Sequence, residues 1–209
     1  LRRFVESASP DTSVKIRDFN TVHSNGKKHF PFFPCADIVV TSPPYGDSGT
    51  TVAYGQFSWL SNVWLGLDDR APGALDREMM GGRRFALDKF GCDIMDDAIS
   101  KIAQEDQKRA SEVMHFYHEY LQSMRNVAST IVEGGYSCFV VGNRNVKGVQ
   151  LPTDIFTAWA FEQCGFTHLV TYIREIPNKR MPSKNSPSNV SGEKSATMTN
   201  EYIVVCRKS

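Results

Sequence analysis

Ser42, Pro43, Pro44 and Tyr45 have types and spacing suited to chemistry on a flat, amine-bearing molecule, and they directly follow the apolar run Ala36-Asp37-Ile38-Val39-Val40. Two consecutive prolines remove two backbone donors and fix φ twice, so the carbonyls around Ser42 and Pro43 are left as a rigid array of acceptors at a strand end. Tyr45 adds a ring able to stack on another planar group. Acceptors beside a stacking ring suit the exocyclic amine of a nucleobase, which is how a base drawn out of a duplex is read. A bare Pro-Pro-Tyr would read as a strand-ending turn with an exposed tyrosine; the buried strand before it favours the chemical reading.

The elements that must hold this turn can be read along the chain. "VKIRD", Val14 to Asp18, alternates apolar and charged residues as a strand would, and "ADIVV" suits a neighbouring strand buried on both faces. Tyr54 to Leu67 is aromatic-rich and leads into a Pro-, Gly- and charge-rich stretch. Together they read as an irregular, lid-like insertion over about residues 54–92, with Trp64 more readily a packing residue than part of a pocket. Asp93 to Gln107 reads as a polar helix. From Ser111, the apolar residues Val113, Phe116, Tyr117, Tyr120, Leu121, Met124, Val127 and Ile131 recur at helical spacing, and Gly134-Gly135 is the expected stop. Tyr136 to Val141 reads as a strand. Thr153 is the expected cap of a helix that stops at Gly165, and "THLVTYIRE" and "NEYIVVCRK" read as two closing strands around a polar loop at about residues 176–199. Strands alternating with helices predict an α/β layered sheet, in which ligands bind at the carboxyl ends of the strands. Asp18, Ser42 to Tyr45 and Gly142-Asn143 fall at such ends.

Bulk properties narrow the partners without naming one. The 209 residues are 41% hydrophobic, enough for one domain with a substantial core. A formal net charge of +1 means that any nucleic-acid contact must come from a local basic surface. The loop carrying Lys179, Arg180, Lys184 and Lys194 is one candidate phosphate-contacting arm, and reads equally as an ordinary surface loop. Five scattered cysteines without a C-x-x-C pair read as reduced core thiols of a cytoplasmic protein, and no apolar run approaches the length of a membrane span. His115, His118 and Glu119 share a helix face but read better as its solvated flank, and no metal is assigned.

"DIVVTSPPYGDS" resembles the catalytic motif of the DNA amino-methyltransferases, which move a methyl group from S-adenosylmethionine to an exocyclic nitrogen of cytosine or adenine. The serine form is similar to the cytosine-N4 branch, whereas the adenine-N6 branch more often has Asp or Asn where Ser42 stands. The resemblance runs from "VKIRD" to "NEYIVVCRK" and implies a Rossmann-like methyltransferase sheet with helices on both faces, acting on DNA as in a restriction-modification system. It implies that Ser42 and the Pro43 carbonyl hold the amino group, with Pro44 keeping the turn rigid and Tyr45 stacking on the flipped base. Asp18, with Phe19 beside it, falls where the family has an acid near the cofactor adenine, and reads equally as a loop-opening acid. Asp47 and Ser48 continue the motif loop toward the base, while Asn143 and Arg144 either line the cleft or form a polar turn.

The family also has a Gly-rich cofactor turn similar to F-x-G-x-G, and no such turn is present: Gly81-Gly82 lies in the insertion and "VVGNRNVKG" has the wrong spacing. The expectation is therefore a catalytic portion whose first strands and cofactor motif lie upstream or on a second chain. Two rivals stay open: a related methyltransferase acting on RNA, and a catalytically silent nucleic-acid-binding subunit.

Overall fold

The computed structural model describes residues 36–45, 54–66, 88–176, 184–185, 195–196 and 200–209. Its centre is a mixed four-stranded sheet of β1 (Ala36–Thr41), β2 (Ile131–Val141), β5 (Phe166–Glu175) and β8 (Asn200–Lys208), in the order β1-β2-β8-β5. Two-residue ladders pair β3 (Asn145–Val146) with β4 (Val149–Gln150), and β6 (Lys184–Asn185) with β7 (Ser195–Ala196). β1 and β2 are parallel, and β8 is antiparallel to both β2 and β5. The carboxyl ends of β1, β2 and β5 therefore meet the amino end of β8 along one edge of the sheet. α1 (Tyr54–Trp64), α2 (Asp93–Glu105) and α3 (Gln107–Thr130) lie between β1 and β2 in the chain, and α4 (Thr153–Glu162) between β4 and β5.

The core lies between one face of the sheet and the helices α2, α3 and α4. Phe139 and Val141 of β2 and Val204 and Cys206 of β8 point into it, where Phe139 meets Phe161 of α4 at 4.9 Å between ring centroids. The aromatic spacing of α3 serves this contact, with Phe116, Tyr117 and Tyr120 buried and Tyr117 edge-on to Phe156 at 5.0 Å. The buried tyrosine hydroxyls each find a threonine on α4: Tyr117 with Thr153 at 2.7 Å and Tyr120 with Thr157 at 2.9 Å. Large apolar rings are thus buried without stranding a polar atom. Burial drives the Tyr120 phenol strongly upward, so it stays neutral as a structural hydrogen-bonding group.

α2 and α3 meet at Asp106, whose carboxylate accepts the Arg109 backbone N–H at 2.9 Å and caps α3. The periodic helix stops at Thr130, four residues before the glycines expected to end it, and Gly134-Gly135 lies inside β2. The reason is steric: a Cβ on Gly135 would stand 2.7 Å from Ile131 Cγ2 and 3.0 Å from the Asp37 carbonyl oxygen, so only glycine lets β2 approach β1 there. Gly165, at φ +82°, does end the turn after α4. Thr153 makes no capping bond, and its hydroxyl turns instead to Tyr117.

The stretch expected to be irregular contains the helix α1, and Trp64 is 89% exposed instead of packed. Helices cover one face of the sheet among the described residues. On the other face Ile38 and Val40 of β1, 55% and 68% exposed, continue through Cys138 and Val140 to Ile203 and Val205. Cys92, Cys138, Cys164 and Cys206 are free thiols, Cys92 and Cys206 fully in the core. No described helix is long and apolar enough to cross a membrane.

Candidate functional site

Ser42 to Tyr45 leave β1 at the edge shared by the strand ends, as an X-Pro turn leaving a sheet must once the donors are gone. Tyr45 is half-buried, and its hydroxyl reaches past the end of β2 to β8. The Ser42 hydroxyl donates to the Tyr45 hydroxyl at 3.0 Å, and Tyr45 in turn donates to Glu201 Oε1 at 3.3 Å. The other carboxylate oxygen of Glu201 accepts from the Arg174 guanidinium, its cross-strand partner on β5. Three segments distant in sequence, at the ends of β1, β5 and β8, are joined in this way into one polar line. Burial pushes the Tyr45 phenol up, opposed by the Ser42 hydroxyl and reinforced by the Glu201 carboxylate. The phenol is thereby held protonated and able to donate.

Asn143 sits at the end of β2 and is buried, with both halves of its amide engaged by Asp154. Its Nδ2 donates to Asp154 Oδ1 at 2.8 Å, and its Oδ1 accepts the Asp154 backbone N–H at 3.1 Å, which ties the first turn of α4 to the strand end. Arg144 follows it, half-buried, with its carbonyl accepting from Leu151 N–H at 2.8 Å. Asp18, Phe19, Asp47, Ser48, Lys179 and Arg180 lie outside the described residues, as does Val14 to Asp18 as a strand. His118 packs at a tilt against Phe90, with ring centroids 4.5 Å apart, and His115 bonds to Ser111. Glu201 and Arg174 went unsingled in the sequence because they sit inside alternating strand patterns, where a charged residue reads as a solvated face. Their opposed register alone brings them to Tyr45.

A groove of about 510 Å³ runs between the start of α2, α4 and β5, lined by Cys92, Ile155, Trp159, His168 and Thr171. It does not include Ser42 or Tyr45. The polar line, and not the groove, coincides with the strand-end position where α/β sheets bind ligands, and on that physical ground it is the stronger candidate site.

No protein-family model matches the chain. Over 181 residues it is 43% identical to the type II methyltransferase M.MvaI of Kocuria varians, a match that takes in 82% of this chain and 40% of the relative. The chain is therefore homologous to part of a type II methyltransferase, and spans about two-fifths of that relative's length. Among solved structures it is similar to a candidate DNA modification methylase of Thermus thermophilus, at 19% identity and TM-score 0.39 over 84% of this chain and 48% of that one. The same protein solved with S-adenosyl-L-methionine matches at 24% identity and TM-score 0.32, over 44% of this chain and 37% of that one. Superpositions this loose carry no argument about the site.

Proposed function

We propose that this chain is the target-base half of a methyltransferase that transfers a methyl group to the N4 amine of cytosine in DNA, within a restriction-modification system. The observation that carries the reading is the Ser42–Tyr45 pair at the carboxyl edge of the sheet, with its hydroxyls bonded to each other and onward to Glu201. Sequence identity to part of a type II methyltransferase supports it independently.

In this reading Ser42 Oγ and the Pro43 carbonyl accept the two amine hydrogens, Pro44 keeps the turn stiff, and the Tyr45 ring lies on the face of the flipped base. An amine on cytosine is a poor nucleophile because its lone pair is delocalised into the ring. Two acceptors on its hydrogens favour a pyramidal nitrogen with the lone pair directed outward, so the chain contributes orientation and preorganised electrostatics. S-adenosylmethionine supplies the methyl group when bound. The described residues contain no glycine-rich turn directly after a strand of the kind that cradles its nucleoside.

The cofactor-binding portion is the proposed occupant of the open face and of the free edge of β1. β1 pairs on one side only among the described residues, and the apolar face from Ile38 and Val40 to Val205 suits a second layer of helices. The relative has more than half its length outside the match, enough to supply both.

Mass spectrometry of digested duplex DNA after reaction with the complete enzyme tests the target. N4-methylcytosine is expected. N6-methyladenine alone would move the enzyme to the adenine branch; a parallel reaction with RNA tests the RNA rival, and no methylated base in either substrate would support the silent binding subunit instead.

A further inference from the structure

Resting on the reading above, we infer that Glu201 is a positioning residue that sets the direction of the hydroxyl chain and so makes Ser42 Oγ an acceptor. A serine hydroxyl has one hydrogen and two lone pairs, and can face an amine either way. At this site the choice is removed. An ionised carboxylate can only accept, so Tyr45 must give its hydrogen to Glu201, which leaves the Tyr45 oxygen free to take the Ser42 hydrogen. Ser42 Oγ is then left with its lone pairs alone toward the cleft, the polarity that an exocyclic amine requires.

Arg174 completes the device. It takes the second oxygen of Glu201, and the Glu201 side chain is only 15% exposed, so the carboxylate is held with one oxygen on Tyr45 and the other on the guanidinium. The pairing is built by the sheet: Arg174 and Glu201 are opposite each other in the β5–β8 register. Reaching Tyr45 from β8 means crossing the end of β2, roughly two strand spacings or ~10 Å, a span that a tyrosine and a glutamate side chain cover together.

This arrangement makes an unusual demand on the isosteric substitution. In Glu201→Gln, the Arg174 guanidinium, which can only donate, favours the amide oxygen on its side, so the amide nitrogen is turned toward Tyr45 and donates to it. The hydroxyl chain then reverses, and Ser42 presents its hydrogen to the amine. Removing the guanidinium in Arg174→Met/Glu201→Gln frees the amide to rotate and restores the original polarity.

The complete enzyme is assayed with S-adenosylmethionine and duplex DNA, beside a titration that needs neither. For Glu201→Gln, kcat is expected to fall on the order of ten- to a hundredfold with KM for DNA unchanged, and the double variant to recover at least about tenfold of that loss. In parallel, the ultraviolet difference titration between each protein and its Tyr45→Phe counterpart reports the phenol directly. Its midpoint should fall in Glu201→Gln, because the carboxylate that discourages phenolate is gone. A single variant within about twofold of the parent, or a double variant no faster than the single one, overturns the positioning role. An unmoved phenol midpoint overturns the Tyr45–Glu201 contact. If the parent enzyme methylates nothing, the functional reading fails by itself and the positioning role fails with it, while the phenol titration still decides whether Glu201 contacts Tyr45.

Discussion

The smallest scale at which this protein can be questioned is a pair of hydroxyls. Ser42 and Tyr45 contribute different things in the proposed reaction, an acceptor and a stacking face, and neither supports the core, since Ser42 is exposed and Tyr45 only half-buried. Ser42→Ala and Tyr45→Ala should therefore each lower methyl incorporation on the order of a hundredfold, the range seen for losing one preorganised polar contact, while thermal melts stay within a few degrees of the parent. Radiolabelled methyl transfer to duplex DNA, read beside circular dichroism melts, checks both halves. Unchanged turnover in either variant would remove that side chain from the chemistry. Asn143 belongs to a different category at this scale. Both its amide groups are occupied by Asp154, so its contribution is to fasten the start of α4 beside the strand end.

At the scale of elements, the site depends on how closely β1 and β2 run. β1 carries the Ser42 turn and is held by β2 alone among the described strands, with a register shift between Ala36 and Ile38. Gly135 is what permits that approach, because any side chain there meets Ile131, the Val132 carbonyl oxygen at 2.9 Å and the Asp37 carbonyl oxygen. Backbone atoms cannot yield as a flexible side chain would. Gly135→Ala is expected to destabilise the protein by ~1–3 kcal/mol, as overpacking does, seen as an earlier urea midpoint at constant slope. Because β1 is the strand displaced, transfer activity should fall with it even at temperatures where the variant remains folded.

At the scale of the whole molecule, the described residues form a one-sided layer: helices on one face, an apolar sheet face and the free edge of β1 on the other. Apolar surface of that kind is characteristic of a covered interface. If the cofactor-binding portion is what covers it, the chain by itself should bind S-adenosylmethionine weakly or not at all, and gain tight binding when that portion is added. Isothermal calorimetry of the chain with and without its complement measures this. Tight stoichiometric binding by a monomeric chain would mean that a complete cofactor site resides here, and the proposed division of labour would fall.

What the sequence determined was local. The S-P-P-Y turn, the long α3 face, the stop at Gly165 and the strand Asn200–Lys208 are short-range patterns, set by φ restriction, donor loss and periodicity, and they are legible without a fold. The α/β class followed from their order. Tertiary structure decided what depends on register and close approach. Gly134-Gly135 resembles a helix stop in one dimension, yet a Cβ on Gly135 would collide with Ile131 and Val132 of its own bulged strand and with the Asp37 carbonyl oxygen of β1, a fit that only the paired strands reveal. Thr153 resembles a cap, yet a buried tyrosine on another helix claims its hydroxyl. Glu201 and Arg174 look like solvated strand residues until antiparallel pairing sets them opposite one another and within reach of Tyr45, 156 positions away from Glu201 in the chain. Hydrogen-bond direction at Ser42 is the furthest of these from the sequence, because it depends on which acceptor lies at the far end of a line assembled from three strands.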